Sequence, residues 1–175
     1  MKKNYPEYNP LFLKYIYNKP INLGGPGSGR HPEGDNDKEG IHSDSQEVQD
    51  YMIKARMSGR EVEYIGKNIK SKLGGLLSDI DYKTSKSIVR KANEYYKGNI
   101  NKVKDAVRIT VILDKQKIDK AVEYAKKLPG FVKVNERKPE SYTLGYKGHA
   151  IIFKTKNGMY GEVQINTPEI ATRVG

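Results

Sequence analysis

The chain has 175 residues, 36% of them hydrophobic, with no cysteine and three scattered histidines; this allows a core over part of the length and excludes disulfides, thiolate metal sites and thiol nucleophiles. The net charge of +11 is uneven: residues 1–50 hold six Lys and Arg against eight Asp and Glu, and residues 51–175 hold 26 against 13, a balance that suits phosphate-bearing ligands and equally a Lys-rich, merely soluble surface. No run approaches the roughly 18 apolar residues of a membrane span, and the N-terminus is too broken by Pro and Tyr for a signal peptide, so a soluble, cytoplasmic protein with no membrane partner is expected.

Residues 1–22 form an N-terminal aromatic tail, in which Phe12, Tyr15 and Tyr17 make a short apolar patch suited to docking onto the following domain or another protein. Residues 23–46 open with "LGGPGSGRHPEGDNDKEG", which lacks apolar periodicity and reads as a flexible linker. A folded domain is expected over 47–175. Val48, Tyr51, Met52, Ala55, Val62, Ile65, Ile69 and Leu73 recur at helical steps, and "LGGLLSDIDYK" breaks that helix. Ser85 or Ser87 starts a second helix, with Gly98 suited to its end. "DAVRITVILD" alternates as a buried strand, with Val107, Ile109, Val111 and Leu113 on one face. Ile118, Ala121, Val122, Ala125 and Leu128 form a third helix, stopped by Pro129-Gly130. Three strand-like stretches follow, "FVKVNER", "GHAIIFKTK" and "MYGEVQINT", the last two joined by the hairpin signal Asn157-Gly158. This order predicts an α/β or α+β domain with a mixed β-sheet flanked by helices.

The last strand carries polar residues where a core strand would not. Glu162, Gln164 and Asn166 line one face, and Val163 and Ile165 the other. Asp105 opens the first long strand. If the two strands are neighbours, Asp105 and Glu162 share a divalent cation such as Mg²⁺, which is commonly held by one or two carboxylates plus substrate phosphates. On spacing alone the plainer reading is a strand-start aspartate and a solvated glutamate. Upstream, residues 82–104 hold Lys83, Lys86, Arg90, Lys91, Lys97, Lys102 and Lys104 against Glu94 alone. Ser87, Arg90 and Lys91 fall near one face of the second helix, able to grip phosphates or simply to face water.

Four blocks in order give these residues a shared meaning. "KTSKSIVRK", "KDAVRITVILD", "LGYKGHAII" and "GEVQINT" together resemble the nucleotidyltransferase domain of the RelA/SpoT family, over residues 60 to 170. The resemblance implies a nucleotidyltransferase-like fold and transfer of pyrophosphate from ATP to the 3′ position of a nucleotide. It further implies that Lys83, Ser87, Arg90, Lys91 and Arg108 bind ATP and that Asp105 and Glu162 hold Mg²⁺, with Gln164 beside them in the catalytic set. Tyr146 stacks on the acceptor base, with His149 as a second acceptor-binding residue. A guanine nucleotide, an adenine nucleotide and the 3′ end of tRNA stay open as acceptors.

Departures from the family pattern concern activity more than fold. Asp81 stands where the family places an arginine, and Arg108 lies three rather than five positions after Asp105. Ala150 occupies the histidine position, with His149 one residue short, and Asn166 replaces an arginine. The shortened later blocks resemble bacteriophage and toxin-like members, and the linker resembles segments of phage head-associated proteins. The expectation is a phage-encoded or toxin-type alarmone synthetase in a bacterial host cytoplasm or on a virion. Phage head proteins or an antitoxin would bind its N-terminal tail. The competing expectation is an inactive nucleotide-binding or head-associated structural protein that keeps the fold. The chain's end also suggests a missing C-terminal helix.

Overall fold

A computed structural model of the chain describes residues 42–136 and 148–168. The N-terminal tail, most of the linker, Tyr146 and the chain's last seven residues, with the expectations placed on them, lie outside the described residues.

The first helix, α1 (Gln46–Leu73), begins where Ser45 accepts a hydrogen bond from the Val48 amide, and ends at Gly74. Two short strands follow, β1 (Leu76–Leu77) and β2 (Asp81–Tyr82), then α2 (Ser85–Tyr95) and β3 (Val107–Ile112). After them come α3 (Ile118–Lys126), β4 (Phe131–Glu136), β5 (His149–Lys154) and β6 (Tyr160–Asn166). The N-cap of α2 is Thr84, one residue ahead of the expected serines, and its Oγ1 accepts from the Ser87 amide. Gly98 closes the helix in the left-handed region at φ 82°, its amide bonding the Ala92 carbonyl.

The sheet runs β1-β3-β6-β5-β4, and β2 also pairs with β3. It is mixed: β3 and β6 are parallel, whereas β5 is antiparallel to both β6 and β4. The first long strand and the last are therefore neighbours, which is the arrangement a shared Asp105–Glu162 site requires. β1 and β2 were not expected, because two-residue strands carry no periodicity; both lie antiparallel along one edge of β3.

Helices α1 and α3 pack on one face of the sheet and touch each other. Val62, Ile65 and Ile69 of α1 and Ile118, Ala121, Val122 and Ala125 of α3 form one core with Val107, Ile109, Val111, Ile151, Phe153, Val163 and Ile165. Each fully buried Val or Ile contributes about 1.5–3 kcal/mol, so this face fixes the strand register, and a one-residue slip would turn the whole set outward. At Gly161 the approach is so close that a Cβ would collide with Val62 Cγ2. Beyond the apolar stripe, α1 buries Ser58 and Glu61. Ser58 Oγ donates to Asn157 Oδ1 at 2.7 Å and lies 2.8 Å from Thr155 Oγ1, while Glu61 accepts from the Lys156 amide at 3.2 Å. These bonds fasten the β5–β6 hairpin to the helix, which orients the opposite face of β6.

Candidate active site

The face of the sheet away from α1 and α3 carries the polar row. Parallel register sets Arg108 beside Glu162 and Thr110 beside Gln164, and on the other side β5 supplies Ile152 and Ala150 at the same levels. Glu162, Gln164 and Asn166 are buried, as are Ala150 and Ile152, which stand apart from the contiguous core. The strand's alternation thus places Glu162 and Val163 on opposite faces, and Glu162 is not a solvated surface residue. Gln164 Nε2 donates to Glu162 Oε1 at 2.7 Å, which holds the carboxylate in a fixed orientation.

Asp105 sits at the entrance to β3, and chain connectivity delivers two cations to it. The Lys83 amide bonds the Ala106 carbonyl at 2.9 Å, so the end of β2 lies against the start of β3. Lys83 Nζ then reaches Asp105 Oδ2 at 2.7 Å. From the second turn of α2, Lys91 Nζ reaches the same oxygen at 2.8 Å. Asp105 Oδ1 is buried and has no hydrogen-bond partner among the described residues. Burial alone would raise the Asp105 carboxyl, but the hydrogen bonds and charges of Lys83 and Lys91 prevail and hold it below the usual 3.8. Burial alone would likewise lower the Lys91 ammonium; Asp105 outweighs it, with smaller contributions from Tyr96 and Glu162, and the group sits above its ordinary value. Lys91 therefore feels both carboxylates, which links the start of β3 to the polar row.

The remaining expected residues fall around this centre unevenly. Ser87 lies in the first turn of α2, one turn before Lys91, and Thr84 Oγ1 donates to its hydroxyl at 3.1 Å; Arg90, on the same helix, is exposed. Arg108 stands in the polar row, and its guanidinium pairs with Asp81 at 3.3 Å across the β2–β3 register. Two of the departures from the family pattern, Asp81 and Arg108, are thus partners. His149 pairs with Ile165 in register, on the face opposite Glu162 and Gln164, and is not brought into their row. Tyr51, which the periodicity marks only as a core position, has a buried hydroxyl without a partner among the described residues. A wider cavity of about 320 Å³, lined by Lys72, Leu73, Lys117, Lys120 and Tyr124, lies at the far end of α1, roughly 30 Å along the helix from Tyr51. Its described lining residues include no carboxylate. Among the described residues no cluster of three or more His, Asp and Glu gathers.

A mixed sheet backed by helices on one face, with a Glu-x-Gln row on the other and a lysine-gripped aspartate at the entrance to β3, defines the class: the chain carries an alarmone synthetase-like domain of the RelA/SpoT type. Within that class, its sequence is similar to the (p)ppApp synthetase toxin Tas1 of Pseudomonas aeruginosa (strain UCBPP-PA14), 30% identical over 117 residues and 67% of this chain. The chain spans about a quarter of that toxin's length (26%). The crystal structure of the Type VI effector Tas1 with its immunity protein superposes at a TM-score of 0.58 and 32% identity, covering 66% of this chain and 59% of that one. Small alarmone synthetase 1 from Bacillus subtilis, bound to its product pppGpp, superposes at a TM-score of 0.59 over 74% of this chain and 77% of that one; at 17% identity the likeness is one of fold. No family model matches the chain.

Proposed function

We propose that this domain transfers pyrophosphate from ATP to the 3′-hydroxyl of an acceptor nucleotide, with an adenine nucleotide as acceptor. The observation that carries this reading is the grip of Lys83 and Lys91 on one oxygen of Asp105 while the other oxygen, buried, has no partner among the described residues. The acceptor's 3′ oxygen attacks the β-phosphorus of ATP, the bond from that phosphorus to the α,β-bridging oxygen breaks, AMP leaves, and the hydroxyl proton passes to solvent. Lys83 and Lys91, partly buried and aimed at an anion, bind the ATP phosphates, with Ser87 and Arg90 on the helix of Lys91 and Arg108 beside Glu162. Asp105 Oδ1 and the Glu162 carboxylate fit a Mg²⁺ ion, which when bound supplies neutralisation of charge on the transferring group. Gln164 keeps Glu162 oriented, and catalysis comes from positioning and charge neutralisation rather than covalent chemistry.

The similarity to a (p)ppApp synthetase toxin supports the adenine acceptor and a toxin role, and the immunity protein bound to Tas1 supports a neutralising protein partner here too. Guanine nucleotides and the 3′ end of tRNA are the competing acceptors. The test is incubation of the full chain with Mg²⁺ and γ-labelled ATP, offering ADP, ATP, GDP, GTP and deacylated tRNA separately, with Glu162→Gln as control. Label should reach an adenine nucleotide and be about 10²-fold slower or absent in the variant. One observation favours a second reading, a nucleotide sensor: Asp81 occupies the Arg108 guanidinium that would otherwise face phosphate. Tight ATP binding with no transfer to any acceptor supports the sensor.

A further inference from the structure

The charges at the candidate active centre largely cancel. Lys83 and Lys91 meet the carboxylate of Asp105, with Glu162 in the neighbouring row, and the Arg108 guanidinium meets Asp81. A nucleotide polyphosphate brings several negative charges, and it is held best by cations that no carboxylate occupies.

Two such cations stand at the end of the polar row. Tyr160 opens β6 two residues before Glu162, so it projects from the same face about 7 Å further along the strand. Lys154 is its register partner on β5, and Lys154 Nζ lies 5.9 Å from the centroid of the Tyr160 ring. Lys104, immediately before Asp105 in the chain, brings its Nζ to 5.6 Å from the same ring. Neither lysine forms an ion pair among the described residues. The half-buried ring attracts both ammoniums through its face, yet at these distances the attraction is weak and the two like charges repel. An anion bound by both would remove that repulsion.

We propose that Lys104, Tyr160 and Lys154 form a second phosphate-binding locus on this face, in which the ring positions two ammoniums for the terminal phosphate of a nucleotide reacting beside Asp105 and Glu162. The inference rests on the reading of those carboxylates as the reaction centre. Two polyphosphate ends carry this chemistry, that of ATP and the 5′ end of the acceptor, and the experiment distinguishes them. The locus complements the first pair of lysines. Lys83 and Lys91 must loosen their hold on Asp105 to take phosphate, whereas Lys104 and Lys154 have no carboxylate among the described residues to give up.

The test reads binding before chemistry. ATP, ADP and AMP are titrated separately, with Mg²⁺, into the full chain and into the double variant Lys104→Gln/Lys154→Gln, and heats of binding are measured. Lys72→Gln/Lys120→Gln, at the far end of α1, removes the same charge elsewhere and serves as control. The proposal expects the first double variant to bind ATP, ADP or both about 10- to 100-fold more weakly, with a smaller loss for AMP, and the control to bind as the wild type does. A loss no greater than the control's, or one as large for AMP as for the polyphosphates, overturns it. Tyr160→Phe should keep the affinity and Tyr160→Leu should lower it, because the ring face and not the hydroxyl holds the ammoniums; equal losses in both overturn the ring's part. In the transfer assay, whichever KM rises in Lys104→Gln/Lys154→Gln, for ATP or for the acceptor, names the nucleotide held, and a rise in neither overturns the proposal. Weakened polyphosphate binding in a chain whose wild type transfers nothing upholds the locus and overturns the catalytic reading. Unaltered binding with normal transfer overturns this proposal alone.

Discussion

At Asp105, one side chain accepts two ammonium donors on a single oxygen, and its titration follows from that asymmetry. Its carboxyl is depressed below 3.8, so the stability it contributes is fully present above that value and is lost as pH falls through the folded-state value. Urea unfolding of wild type and Asp105→Asn should differ by a constant amount above about pH 5 and converge below pH 3.8, and a gap that persists in acid would contradict the pairing. The Asp81–Arg108 pair behaves differently. Asp81 is 63% exposed at its side chain, so Asp81→Ala should cost less than about 1 kcal/mol in a denaturant melt. Its effect belongs on ATP binding, where a released Arg108 guanidinium becomes available to phosphate. Unchanged ATP affinity in that variant would mean that Arg108 does not reach the nucleotide.

Among the elements, β6 and α1 together set the geometry of the polar row. Gly161 permits the strand to lie against Val62, and Gly161→Ala should cost about 1–3 kcal/mol in a urea melt, through the collision of its Cβ with Val62 Cγ2. Full wild-type stability in that variant would show that the helix and strand do not meet so closely. Much of this was legible in the sequence, because the physics is local. The alternation of Glu162, Gln164 and Asn166 against Val163 and Ile165 shows a two-faced strand, and the apolar steps of α1 show which side it buries. What no local pattern carries is pairing: the parallel register of β3 with β6, the two-residue strands on the edge of β3, and the convergence of Lys83 and Lys91 on Asp105 are long-range facts. The polar positions of α1 that matter, Ser58 and Glu61, read as an ordinary outer helix face until the hairpin they hold is in place. His149, by contrast, follows the rule that one residue reverses a strand's face.

For the whole molecule, the division of labour is between two faces of one sheet. One face is an apolar core with α1 and α3, and it holds the β3–β6 register; the other carries the row of Glu162, Gln164 and Asn166, while Asp105 stands at the entrance to β3 between core residues Val103 and Ala106. Residues 51–175 carry 26 Lys and Arg against 13 Asp and Glu, an excess of positive charge that favours polyphosphate ligands. No helix among the described residues is long and apolar enough to cross a membrane. The central claim is that two phosphates move together, and the fate of the α-phosphate tests it most directly. The full chain is incubated with Mg²⁺, α-labelled ATP and an unlabelled adenine nucleotide acceptor, and the labelled product is resolved. Release of AMP in proportion to acceptor consumed, lost in Asp105→Ala, is the result the account predicts. Release of ADP would mean transfer of a single phosphoryl group, and unchanged ATP would mean no transfer at all; either contradicts it.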